Sequence, residues 1–258
     1  MTTRTDPWPA GTPTWVDLGA GDVTAATAFY AALFGWEYSS GGEESGGYLL
    51  ATLDGAAVAG IGPKQDPGAP TVWTTYLATD DVDASARAVT AAGGQVIAEP
   101  FDVMTSGRMA IVADPGGAVL GLWQAGDHIG AGRVNEPGAL VWNELHARDD
   151  AAARAFYAAV FGYEYRDVGG EGFVYATFTR AGDRAEVGGV LRDGELPAGA
   201  PDHWLTWFAT ADVDASAARA EELGAQLRVP VSDTPFGRAT VVQGPQGEVF
   251  GLIALATS

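Results

Sequence analysis

Several residue types are scarce in this chain of 258 residues, and each scarcity excludes a class of protein or site. There is no cysteine, which excludes disulfides, thiolate metal sites and a cysteine nucleophile. Only 14 Lys and Arg stand against 33 Asp and Glu, which gives a net charge of −19. No nucleic-acid partner is expected, because phosphate backbones are bound by clustered basic side chains.

Long apolar runs are also missing. No stretch of about 18 consecutive apolar residues occurs, so we predict no membrane-spanning helix and no membrane partner. The polar N-terminal stretch from Met1 to Pro13 has no apolar core, and we expect it not to be a secretory signal. Together with the lack of cysteine, this favours a cytoplasmic protein.

The strongest positive signal is an internal duplication. The segment WVDLGAGDVTAATAFYAALFGWEY begins at Trp15 and the segment WNELHARDDAAARAFYAAVFGYEY at Trp142; 15 of 24 aligned positions are identical. Two further pairs of similar segments, which begin at Trp73 and Trp204 and at Gly107 and Gly237, follow in the same order. The whole domain is therefore duplicated.

Each copy contains the same alternation of strands and helices. Asp22 is a candidate N-cap, apolar residues then recur at helical spacing, and Gly35 lies where a C-cap glycine is expected. Short strands separated by Gly-rich turns follow, and the order recurs from Val72. We therefore predict an α+β fold of four βαβββ units in two tandem domains. The predicted boundaries are an N-terminal tail at 1–13, a first domain at 14–125, a linker at 126–138 and a second domain at 139–258.

The chain resembles the vicinal-oxygen-chelate superfamily, which includes glyoxalase I, extradiol dioxygenases and the fosfomycin- and bleomycin-resistance proteins. The resemblance rests on DxxxAxxFYxxLFGW from Asp22, its counterpart from Asp149, the DVDA helix starts and the DPGG and GPQG hairpins. The two-copy form also resembles an actinobacterial group labelled glyoxalase-like or hydroxylase. The resemblance implies the fold, but the same fold supports several unrelated chemistries.

Metal-dependent members of this superfamily hold one divalent cation with a His or Gln on the first strand of a unit and a Glu on its last strand, repeated in the next unit. Alignment places eight residues at these positions: Trp15, Gly60, Thr74, Gly121, Trp142, Gly189, Leu205 and Gly251. None supplies a nitrogen or carboxylate donor. We therefore predict no metal and no cofactor.

One alternative metal site remains open. Glu144 and His146 share a strand face with Trp142, and His203 shares a face with Leu205 on another strand. Glu144, His146 and His203 could form a two-histidine, one-carboxylate site in the second domain. The other interpretation is that both histidines are polar residues near the rim of a concave sheet.

Aromatic residues instead of metal ligands are predicted to face the two concave sheets, which we call the first and second cups. The inward phases predict these ligand-binding residues: Trp15, Tyr76 and Trp123 in the first cup, and Trp142, His146, His203 and Trp207 in the second. Asp17 and Glu144 share these faces as candidate catalytic acids. Such a surface suits a small planar or cationic organic molecule, although the aromatics could instead fill the core.

Three functions follow. The first is a metal-free protein that binds a small aromatic or cationic drug or metabolite. The second is a metal-free enzyme in which burial raises the pKa of Asp17 or Glu144, so that one acts as a general base. The third is a divalent-metal lyase or dioxygenase that uses Glu144, His146 and His203. For assembly, we expect a monomeric pseudo-dimer or a homodimer.

Overall fold

The structure is a computed structural model that describes residues 3–42, 45–170 and 172–255. The first copy contains these elements: β1 Pro13–Ala20, α1 Val23–Phe34, β2 Glu37–Ser40, β3 Leu49–Leu53, β4 Ala56–Pro63, β5 Val72–Ala78, α2 Val82–Ala91, β6 Gln95–Val103, β7 Gly107–Ala113 and β8 Val119–Ala125. The second copy contains these: β9 Leu140–Ala147, α3 Asp150–Phe161, β10 Glu164–Asp167, β11 Tyr175–Thr179, β12 Glu186–Arg192, β13 His203–Ala209, α4 Val213–Glu222, β14 Gln226–Thr234, β15 Gly237–Gln243 and β16 Val249–Leu255. The outer ends of the predicted domain boundaries, residues 1–2 and 256–258, lie outside the described residues.

The predicted helix signals are confirmed in both copies. Asp22 accepts a hydrogen bond from the backbone N–H of Ala25 at the start of α1, and Asp149 does the same for Ala152 at the start of α3. Gly35 ends α1 in the left-handed conformation with φ 74°, where a residue without a Cβ avoids a steric penalty. These caps satisfy backbone groups that would otherwise lack partners.

Each copy forms one eight-stranded sheet from two βαβββ units. The order is β2-β3-β4-β1-β5-β8-β7-β6 in the first sheet and β10-β11-β12-β9-β13-β16-β15-β14 in the second. The first strands of the two units, β1 and β5, pair antiparallel at the centre, and β9 and β13 do the same. The α+β fold of tandem domains is therefore confirmed.

The helices pack between the two copies rather than each on its own sheet alone. One apolar cluster joins Phe29 and Tyr30 of α1 to Phe208 and Phe250 of the second sheet. A second cluster joins α3 to residues of α2, β7 and β8 in the first copy. One face of each sheet therefore packs against the other copy, and the opposite face forms a cup.

Two matching hydrogen-bond chains cross this interface. In one, Trp73 Nε1 donates to the Tyr30 hydroxyl, which donates to Glu248 of the second copy. In the other, Trp204 Nε1 donates to the Tyr157 hydroxyl, which donates to Asp114 of the first copy. Both acids are almost fully buried. Each copy thus supplies the acid that satisfies a buried tyrosine of the other.

No helix within the described ranges is long and apolar enough to cross a membrane.

Candidate functional site

The two cups are lined by alternate residues of their central strands. On β1, Val16 and Leu18 face the helical core, so Trp15 and Asp17 face the first cup. On β9, Leu145 faces the core, so Glu144 and His146 face the second cup. In both strands, the residues that alternate with the core residues lie on the cup side of the sheet.

Strand pairing corrects the alignment of the metal-ligand positions. Asp17, and not Trp15, lies opposite Gly60, while Tyr76, and not Thr74, lies opposite Gly121. The four positions that meet in the first cup are therefore Asp17, Gly60, Tyr76 and Gly121. The predicted first-strand positions Trp15 and Trp142 were therefore wrong by two residues, and the corrected positions Asp17 and Glu144 each carry a carboxylate.

The second cup has the same arrangement. Gly189 lies opposite Glu144, and Gly251 lies opposite Trp207. Each set of four thus contains one carboxylate, two glycines and one aromatic residue.

Tyrosine side chains fill the space above the glycines. A Cβ at Gly60 would lie 1.8 Å from the Tyr48 hydroxyl oxygen, and a Cβ at Gly189 would lie 2.0 Å from that of Tyr175. Any side chain at either glycine would displace a tyrosine. The sequence interpretation missed both tyrosines, although Tyr48 and Tyr175 differ by the same 127 positions as Trp15 and Trp142.

Both tyrosines connect a tryptophan to the acid of their cup. Trp15 Nε1 donates to the Tyr48 hydroxyl at 2.9 Å, and that hydroxyl donates to Asp17 Oδ2 at 3.3 Å. Tyr76 donates to the same Asp17 oxygen at 3.0 Å. Burial raises the pKa of Asp17 to about 7, although both tyrosine hydrogen bonds act to lower it.

The first cup is covered by a segment that follows β8, residues 126–131, which we call the covering segment. The His128 ring packs edge-on against Trp15 with ring centroids 4.4 Å apart, and the His128 carbonyl accepts from Trp123 Nε1. Trp15, Tyr76 and Trp123 keep only 3%, 7% and 6% of their surface exposed. These three predicted ligand-binding residues therefore form one buried cluster, and a ligand could contact them only if the segment moved.

The second cup differs because its aromatics are partly exposed. Trp142 and Trp207 both keep some solvent contact, and within the described part of the chain no ring packs on either of them. Trp142 Nε1 donates to the Tyr175 hydroxyl at 2.9 Å. The buried Nε1 of Trp207 has no hydrogen-bond partner among the described residues. A ligand acceptor could satisfy this donor, whose isolation costs about 1–3 kcal/mol.

A row of three polar side chains leads out of the second cup. His146 Nε2 lies 2.9 Å from Glu144 Oε1, and His146 Nδ1 lies 3.0 Å from Asp193 Oδ2. Burial lowers the pKa of His146, but the hydrogen bonds and charges of Glu144 and Asp193 outweigh it and raise the pKa overall. Asp193 lies in the loop after β12, outside any periodic pattern, so the sequence interpretation missed it.

His203 contacts this row from the side. Its ring stacks on His146 with centroids 4.9 Å apart, so the ring is partly covered although the residue as a whole lies at the surface. Burial of the ring and the nearby positive charge of His146 lower the pKa of His203. The first cup has no such row, because Gly19 and Val72 occupy the positions of His146 and His203.

The donors of the second cup do not fit the metal that the superfamily suggests. Both ring nitrogens of His146 are engaged by carboxylates, and His203 presents its ring face instead of converging on Glu144. In the described ranges, no group of three or more His, Asp and Glu side chains is arranged to hold a metal ion. One carboxylate in each set of four falls short of the three protein ligands of a catalytic zinc.

Comparison with known proteins agrees with this fold. The family model described as Glyoxalase/Bleomycin resistance protein/Dioxygenase superfamily matches residues 12–122 and again 139–252. "Putative glyoxylase CFP32" of Mycobacterium bovis is 45% identical over 250 residues, covering 94% of each chain. "Anthracycline biosynthesis protein DnrV" of Streptomyces peucetius is 39% identical over 260 residues, covering 95% of this chain and 94% of its own.

Solved structures share the architecture at lower identity. The Mn(II)-bound glyoxalase of Novosphingobium aromaticivorans has a TM-score of 0.67 at 21% identity and covers 95% of this chain and 82% of its own. The 2,3-dioxygenase LapB of Pseudomonas sp. KL28 has a TM-score of 0.68 at 12% identity and covers 100% and 94%. At these identities the likeness establishes the fold alone.

Proposed function

We propose a function from the premise that this chain belongs to the Glyoxalase/Bleomycin resistance protein/Dioxygenase superfamily. The second cup binds a small aromatic or cationic organic molecule without the help of a metal ion. The observation that carries this proposal is the difference between the two matching tryptophans. His128 covers Trp15, whereas Trp142 keeps solvent contact beside a carboxylate.

The polar groups of the second cup indicate how a ligand would be held. An organic cation would be attracted by Glu144 and by the faces of Trp142 and Trp207. A hydrogen-bond acceptor on the ligand would satisfy Trp207 Nε1. The relatives named for anthracycline biosynthesis, which are 38–39% identical, support an aromatic ligand.

Tryptophan fluorescence tests this proposal directly. Proflavine, a planar cation, is titrated into the wild-type protein, and anthraquinone-2-sulfonate serves as a planar anion. We expect proflavine to bind and the anion not to bind, and Glu144→Gln to weaken proflavine binding about tenfold. Asp17→Asn is the matched control, because Asp17 lies at the same position of the covered first cup. No proflavine binding by the wild type would refute the proposal.

A second candidate function, acid–base catalysis without a metal, is favoured by the row of Glu144, His146 and Asp193. With His146 protonated between two carboxylates, Glu144 can accept a proton from a bound substrate, and His146 stabilises the row by charge and hydrogen bonding. Asp17 remains the corresponding candidate base of the first cup, in reach only of a substrate that displaces the covering segment.

Nitrogen NMR of the histidines tests the row. We expect the His146 imidazole to stay protonated at higher pH than the His203 imidazole, because the pKa of His146 is raised and that of His203 is lowered. Asp193→Asn should lower the pKa of His146. A His146 that titrates below His203 would remove the basis for this candidate.

Assembly, location and domain limits are proposals of the same kind. The cross-interface packing of the helices supports a monomeric pseudo-dimer, which light scattering would distinguish from a dimer of the 26.6 kDa chain. The lack of cysteine favours a cytoplasmic location. The division at 14–125 and 139–258, with a linker at 126–138, is consistent with the two family-model matches.

A further inference from the structure

Three aromatic rings meet at the mouth of the second cup. Phe173 stacks on Tyr175 with centroids 5.5 Å apart and an interplanar angle of 12°. Phe236 contacts the same tyrosine at 5.6 Å with a tilt of 49°. Tyr175 is almost fully buried, whereas Phe173 and Phe236 are 40% and 43% exposed. Two large apolar rings are thus held in water at the entrance of the cup.

These rings come from opposite ends of the sheet. Phe236 lies in the turn between β14 and β15, at one edge of the strand order. Phe173 and Tyr175 lie before and at the start of β11, near the other edge. The contact between Phe236 and Tyr175 therefore joins the two ends of the sheet, and the hydroxyl of the same tyrosine accepts a hydrogen bond from Trp142 inside the cup.

The first copy has no counterpart of this aromatic bridge. Ser106 occupies the position of Phe236, and Gly46 occupies that of Phe173. The backbone there pairs instead with the covering segment, whose Gly126 and His128 N–H groups both donate to the Ser106 carbonyl. Phe173 and Phe236 therefore have no counterparts in the first cup, which the segment covers.

We infer that Phe173 and Phe236 form an aromatic clamp that takes a flat, fused-ring part of the ligand at the mouth of the second cup. The inference rests on the proposed function and narrows its ligand class from any small aromatic to one with several fused rings. A flat fused-ring group that enters here exchanges its contact with water for contact with the exposed rings of Phe173 and Phe236. The polar end of the ligand then reaches Glu144 below.

Paired probes of different ring number test the clamp. Proflavine has three fused rings, whereas benzylammonium has one ring and the same positive charge. Calorimetry is carried out on the wild type, Phe236→Ala, Phe173→Ala and Phe236→Tyr. Phe101→Ala is the matched control, because Phe101 is an equally exposed phenylalanine on β6 of the first sheet.

Each clamp deletion should weaken proflavine binding about tenfold or more and change benzylammonium binding less than about twofold. Phe236→Tyr should retain proflavine affinity, because its ring has the same faces, and Phe101→Ala should have no effect. Unchanged proflavine affinity in both deletions, with Glu144→Gln still weakening it, would overturn the clamp and leave the cup as a binding site. Equal losses for both probes would also overturn it. If the wild type binds neither probe, the clamp and the proposed function fail together.

Discussion

Replacing Asp17 by Asn tests whether burial disfavours the ionised form of the Asp17 carboxyl. Burial raises the pKa of Asp17 from 3.8 to about 7, so the folded protein keeps a proton on this carboxyl that the unfolded chain has already released. Where the folded state binds more protons than the unfolded state, stability decreases as the pH rises. The decrease should begin near the unfolded pKa and level off above the folded value.

The size of the effect follows from the shift. A difference of about three pKa units corresponds to about 4 kcal/mol in full, at 1.36 kcal/mol for each unit. Between about pH 5 and about pH 8, roughly two of those units are crossed, or about 3 kcal/mol. Asn carries no charge and still offers an oxygen to Tyr76 and Tyr48. The stability difference, taken as the free energy of unfolding of Asp17→Asn minus that of the wild type, should therefore be about 3 kcal/mol larger at about pH 8 than at about pH 5.

Urea unfolding followed by tryptophan fluorescence measures this difference at each pH. Comparing the two proteins at the same pH cancels the contribution of other titrating groups. Asp80→Asn is the control for removing a surface carboxylate, because Asp80 is an exposed aspartate in the loop after β5. A difference for Asp17→Asn that stays constant, or that decreases with pH, would show that burial does not govern this carboxyl.

Two further substitutions test the packing of the cups. Gly189→Ala places a Cβ 2.0 Å from the Tyr175 hydroxyl and should lower the free energy of unfolding by about 1–3 kcal/mol. The control Gly19→Ala meets only Lys64 at 3.7 Å and should change the free energy of unfolding by less than about 0.5 kcal/mol. Equal effects of the two substitutions would contradict the packing of the tyrosine. His128→Ala removes the ring that covers Trp15 and should shift tryptophan emission to longer wavelength. The neighbouring substitution Asp127→Ala should leave the emission unchanged. Unchanged emission in His128→Ala would show that the segment covers the cup without the histidine.

The fold was predictable because its signals are local and occur twice. The Asp22 cap, the Gly35 terminus and the strand alternation each depend on residues a few positions apart. The duplication then made each assignment in one copy a check on the other. Strand order and the packing of α1 on the second copy depend on distant residues, for which a single sequence carries no periodic signal.

The sequence predicted which side of the sheet the candidate site residues face. It did not predict which residues lie opposite one another on paired strands. A period of two indicated that Asp17 and Glu144 point into the cups, because alternation depends only on the strand itself. Which residue lies opposite Gly60 depends on register, and the alignment placed Trp15 there, two residues away from Asp17. Asp193, Phe236 and His128 lie outside regular strands, where no alternation marks a side chain as part of a site.

Each copy supplies an acidic side chain that binds a buried tyrosine of the other, and this affects which substitutions the protein can accept during evolution. The Tyr30 hydroxyl donates to Glu248 and the Tyr157 hydroxyl donates to Asp114, so each copy supplies the acceptor for a buried donor of the other. A homodimer with this interface would impose each new mutation on both of its sites. Fusion of the copies in one gene makes the partner permanent at any concentration and lets each cup acquire its own substitutions. Residues of the shared interface must continue to fit both copies. The two cups can diverge, with the first closed by the covering segment and the second open to a ligand.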